Sequence, residues 1–174
     1  MRRWFVFLFL ASCQVSSFST RIDPQMELGQ YNSFAFADYT AYINITQPEY
    51  DNPENRALIE QSIKNEMEAR GIKQSQLGKK LWVAYTLSIK DMTDTRVDSA
   101  IIYKPWIDLK QDTFNYTQGA FSLVLIDGET KTVIAQSQIE GILDRDPKRF
   151  RSAIPRLVKR MFKRIEEEAI APKP

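Results

Sequence analysis

Hydrophobic positions along this chain change their period several times, and each change marks an element. Residues Trp4 to Leu10 form a short apolar run that ends in the small residues Ala11 and Ser12. A membrane-spanning helix needs about 20 apolar residues, so this run is too short to be one. The small, polar stretch Gln14 to Thr20 predicts a tether within residues 13–30. Phe34 and Phe36 alternate with Ala35 and Ala37, which predicts a half-buried first strand over 31–37. A long connection carrying Tyr39, Tyr42, Pro48 and Tyr50 then leads to a helix. Asn52 is placed to cap that helix, Pro53 suits its first position, and Ile59, Ile63 and Met67 recur at four-residue spacing. Gly71, followed by Ile72, predicts a left-handed cap whose next residue packs back, ending the helix near Arg70.

Strict alternation over Leu81 to Ile89 predicts a strand with Leu81, Val83, Tyr85, Leu87 and Ile89 on one face. Val97, Ser99, Ile101 and Tyr103 fit an edge strand that Pro105 must end. Phe114 to Ile126 and Lys131 to Leu143 flank the turn signal Asp127-Gly128-Glu129-Thr130, which predicts an antiparallel hairpin. Ile154, Leu157, Val158, Met161, Phe162 and Ile165 describe one stripe of a final helix. Pro155 is costly inside a helix and harmless in a first turn, so the helix is expected to begin with Ser152 as its N-cap; the alternative runs from Pro147 with a kink. These elements predict an α+β domain over 31–168, a mixed and largely antiparallel sheet with two main helices packed on one face, and a frayed tail at 169–174. Strands joined through the first helix are expected to pair in parallel as a right-handed crossover.

Chemistry changes the picture most at the N-terminus. Arg2 and Arg3 precede the apolar run, and Leu10-Ala11-Ser12-Cys13 closes it. A positive start, a short apolar core and small residues before the break make a secretory signal over residues 1–12. The tetrapeptide resembles the lipobox of bacterial lipoproteins, which implies cleavage between Ser12 and Cys13 and diacylglyceryl and palmitate-type chains on Cys13. Cys13 is the sole cysteine of the chain, so it has no internal disulfide partner. A plain signal peptide with an incidental cysteine is the alternative. Gln14, rather than aspartate, follows the cysteine, and by the same resemblance this points to the outer membrane. The expected partner is therefore a membrane, through the lipid anchor.

Without residues 1–12, basic and acidic side chains balance at 22 each. That balance argues against general capture of nucleic acid. The chain has no histidine, which removes Ser-His and Cys-His nucleophile pairs and the commonest zinc ligand. No catalytic residue, cofactor or metal site is expected: Asp91, Asp94, Asp98 and Asp108 lack the glycine and closing glutamate of a calcium loop. Tyr103, Trp106, Phe114 and Tyr116 either form an exposed aromatic surface for a partner or ligand, or cap the sheet edge or fill the core. The basic run from Lys148 to Arg164 either meets anionic headgroups or an acidic partner, or is the solvated face of the last helix.

The order of motifs resembles a bacterial family known as domain of unknown function 4136, made largely of lipoproteins. The matching pieces are Tyr31-Asn32-Ser33-Phe34-Ala35-Phe36, Glu68-Ala69-Arg70-Gly71-Ile72, Leu81-Trp82-Val83-Ala84-Tyr85, the hairpin from Gly119 through Asp127 with Thr130-Lys131, and Glu140-Gly141-Ile142-Leu143-Asp144. The segment from Asp91 to Asp112 departs from the pattern. The resemblance implies location and fold and supplies no catalytic residue. The expected function is thus a lipid-anchored, non-enzymatic cell-envelope protein that binds an envelope protein or component. The alternative is a small-ligand-binding periplasmic module using the aromatic segment around Trp106.

Overall fold

A computed structural model describes residues 16–37, 47–75, 77, 80–97, 111–143 and 146–170. Their elements follow in the order β1 (Ser16–Ile22), β2 (Ser33–Phe36), α1 (Pro53–Ala69), β3 (Lys73–Gln74), β4 (Lys80–Val97), β5 (Gln111–Asp127), β6 (Val133–Ile142) and α2 (Pro147–Ile170). The strands form one sheet in the order β1-β6-β5-β4-β2-β3. Pairing is antiparallel from β1 through β4, while β2 is parallel to both β4 and β3. The parallel β2–β4 pair, joined through α1, is the predicted crossover, and the fold is α+β with a mixed sheet.

Register puts Leu81, Val83, Leu123, Leu125 and Ala135 on one face, all fully buried. Both helices cover that face. α1 contributes Ile59, Ile63 and Met67, and α2 contributes Ile154, Val158, Met161, Phe162 and Ile165, each at most 1% exposed. At about 25 cal/mol per Å² of apolar area, this layer is the main source of stability. Arg70 ties the helices together. It bonds Glu66 on its own helix and Glu166 on α2, and its guanidinium sits 4.9 Å from the Phe162 ring centre.

Local chemistry sets the boundaries as the pattern predicts. The Asn52 side chain accepts the Asn55 N–H at the start of α1. Gly71 takes φ +79°, the Ile72 N–H reaches the Met67 carbonyl, and Ile72 is buried. At the β5–β6 turn the Gly128 N–H donates to the Lys80 carbonyl, and a Cβ there would lie 2.5 Å from that oxygen.

Five expectations need correction. Ser16–Ile22 is an edge strand, not tether: Phe18, Thr20 and Ile22 turn inward while their neighbours face solvent. The strand around Phe34 is consequently second in the chain, and Ser33, Phe34 and Ala35 are all buried because β3 and β4 flank it. α2 begins at Pro147 and holds Pro155 inside it; Ser152 does not cap it but donates its hydroxyl to the Arg149 carbonyl. Ala169 and Ile170 are helical, which shortens the expected frayed tail. β4 and β5 also run further than predicted, pairing as far as Val97 with Gln111. The proposed edge strand beyond Val97 lies outside the described residues.

Candidate functional site: a groove under the second helix

Two glycines open the site. On the helix-covered face, Ile89, Gly119, Gly141 and Ser16 lie side by side across β4, β5, β6 and β1. Neighbouring strands are about 4.8 Å apart, so two adjacent glycines leave a gap that side chains would otherwise fill. The helix above is also thin at this point, where Ser152 and Ala153 face the gap. The result is a groove of about 590 Å³. Leu87, Phe121, Ile139, Leu143, Phe150 and Leu157 give it apolar walls. A Cβ on Gly119 would come within 2.9 Å of the Leu143 side chain, so the glycine is also what lets Leu143 lie across one end.

The lip is cationic. Arg149, Arg156 and Arg160 all line the groove and are spaced i, i+7 and i+11 along α2, which places them on one helical face. The Arg160 guanidinium lies 4.6 Å from the centre of the Phe18 ring on β1, and that of Arg164 lies 5.8 Å away. Stacking on Phe18 holds the Arg160 cation over the β1 edge without neutralising it. No aspartate or glutamate lines the groove among the described residues. Arg151 pairs with Glu54, and Lys163 and Arg164 both meet Glu167.

Other polar clusters are structural. The buried Asp127 carboxylate accepts the Tyr31 hydroxyl at 2.6 Å and the N–H groups of Glu129 and Thr130. Those bonds, Tyr31 first, bring its pKa down to about 2, and the same burial and bond push the Tyr31 hydroxyl well up. Burial and a bond to Glu60 raise Tyr85 in the same way. Asp51 holds Arg56 by two hydrogen bonds. Asp91 accepts from Gln47 and Thr117. Among the described residues, no group of three or more acidic or cysteine side chains is placed to hold a metal ion.

The predicted site residues are not gathered here. Cys13, Ser12, Tyr103 and Trp106 lie outside the described residues. Phe114 pairs in register with Asp94, and the partly buried Tyr116 with Met92, on a two-stranded arm formed by the far ends of β4 and β5. The groove itself was not anticipated from sequence. Its one available signal was a glycine in each strand of the predicted hairpin, which becomes a site only once the register aligns them.

A family model matches residues 18–165. The chain belongs to the family described as domain of unknown function (DUF4136). No curated protein sequence matches it. Among solved structures, a PDZ domain protein from Parabacteroides distasonis is similar over 82% of this chain at 15% identity, with a TM-score of 0.49. The chain spans about a third of that protein, with 34% of its length covered. A PelC dodecamer from Paraburkholderia phytofirmans is 11% identical with a TM-score of 0.46, covering 91% of this chain and 100% of that one. A minor lipoprotein from Acinetobacter baumannii is 8% identical over 82% of this chain and 96% of that one, with a TM-score of 0.36. Among the described residues, no helix of this DUF4136 chain is long and apolar enough to cross a membrane.

Proposed function

We propose that this DUF4136 protein is a bacterial cell-envelope protein, held to a membrane by acyl chains on Cys13, whose domain binds an envelope component in the groove under α2. The outer membrane is its place, and the activity is binding, not catalysis. The observation that carries the reading is the position of Ser16. It borders the groove and lies three residues after Cys13, so a fully extended chain separates the two by at most about 11 Å. An anchor at Cys13 therefore keeps the arginine lip within reach of a bilayer surface. Two or more acyl chains are needed for firm attachment, since one gives only marginal binding.

The experiment is fractionation and intact-mass analysis of the protein from its native membranes. The expected product begins at Cys13 and carries a diacylglyceryl group with a further acyl chain, and Cys13→Ser releases the protein from the membrane fraction. An amino terminus beyond Cys13, or Cys13→Ser protein that stays with membranes as strongly as wild type, overturns the anchor.

A further inference from the structure

We infer that the groove takes one acyl chain of an anionic phospholipid drawn from the adjoining membrane, with the phosphate held by Arg156 and Arg160. The assignment rests on the reading of this groove as the protein's binding site, and it names the ligand. Three features favour an amphiphile with one apolar tail and one negative end. The interior is apolar, and Gly141 adds no side chain to its floor, which leaves room for a slender chain, while Leu143 lies over Gly119 and crosses one end. Its volume, about 590 Å³, lies within the range of about 300–1,000 Å³ typical of small-molecule sites.

Among the described residues that line it, all the charge at its lip is positive, and those arginines are exposed. Arg156 is exposed and has no hydrogen-bond or ion-pair partner among the described residues, while Arg160 is held in place by the Phe18 ring. A guanidinium matches a phosphate by geometry as well as by charge. An acidic peptide would also satisfy the arginines, but it would bring backbone donors and acceptors that the apolar interior cannot satisfy. The acyl chains on Cys13 itself bear no negative end, so they leave the arginines unexplained.

The test uses the full chain with Cys13→Ser, which carries no lipid of its own, titrated with dihexanoyl-phosphatidylglycerol or dihexanoyl-phosphatidylcholine below micelle-forming concentrations. The phosphatidylglycerol is expected to bind and to shift the amide resonances of Gly119, Gly141 and Ala153. Arg156→Gln combined with Arg160→Gln is expected to weaken that binding about thirtyfold. Both arginines are exposed, so the double variant should fold normally. Ala153→Phe, which fills the groove, is expected to abolish binding of either lipid; should it not fold, the resonance shifts still locate the ligand.

Equal affinity for the two lipids, indifference to the arginine pair, or shifts confined to another surface overturns the assignment. So does binding by the Cys13→Ser chain that disappears in protein carrying its native anchor, because the groove is then occupied by the chain's own acyl group. Absence of acylation at Cys13 defeats the anchor alone and leaves the lipid titration to stand by itself.

Discussion

The bond between Tyr31 and Asp127 links residues 96 positions apart, and its value depends on pH. The Asp127 pKa falls from an ordinary 3.8 to about 2 on folding, so the folded state favours the carboxylate. The unfolded chain therefore takes up its proton first as pH drops. The stabilisation is complete above about pH 4 and is lost as pH falls towards 2; it amounts to about 2 kcal/mol. Urea midpoints measured at pH 5, 3 and 2 should fall more steeply for wild type than for Asp127→Asn. The variant should be the less stable of the two at pH 7. A matching slope in both proteins would mean that another carboxylate governs acid unfolding.

α2 shows how an element can override the local preference of one residue. Pro155 removes an N–H that would bond the Arg151 carbonyl, a loss of up to about 3 kcal/mol in a helix interior. The helix nevertheless continues through it, because Phe150 lies on the N-terminal side and is buried with Ile154, Val158 and Met161. Packing of that stripe outweighs the break. Pro155 is itself exposed, so Pro155→Ala should restore the bond without opening a cavity. An increase of about 1 to 3 kcal/mol in unfolding free energy is expected from chemical denaturation. A loss of stability instead would show that the proline helps the helix to cover the sheet. The apolar stripe of α2 was legible in sequence because period 3.6 survives any single substitution. Its start was not, because Pro147 and Ser152 both offer reasonable beginnings. β1 is hidden for a related reason: Phe18, Thr20 and Ile22 alternate correctly, but the serines at 16, 17 and 19 look like linker until β6 is present as a partner.

At the scale of the whole molecule, the core and the crossover follow from hydrophobic periodicity, whereas the groove does not. It arises where two glycines on different strands meet a helical turn of small side chains, and only the register sets the glycines side by side. Charge is distributed unevenly as well, with the arginine lip on the groove that Ser16 borders. If that face approaches an anionic bilayer, raising salt should weaken association of the unacylated protein with such vesicles. Exposed charges are screened over about 8 Å at physiological ionic strength, and vesicle flotation at increasing sodium chloride checks the effect. Edge strand β1 has one more consequence, for the order of events during biosynthesis. It is the first described strand to emerge, yet Thr20 meets Ser137, 117 residues later. A ribosome or a translocation pore that delivers the chain amino end first must leave this ribbon single and sticky until nearly the last hairpin has arrived. Maturation of the fold is therefore a late, all-but-complete-chain event, and the nascent leading segment is a natural client for a holding chaperone.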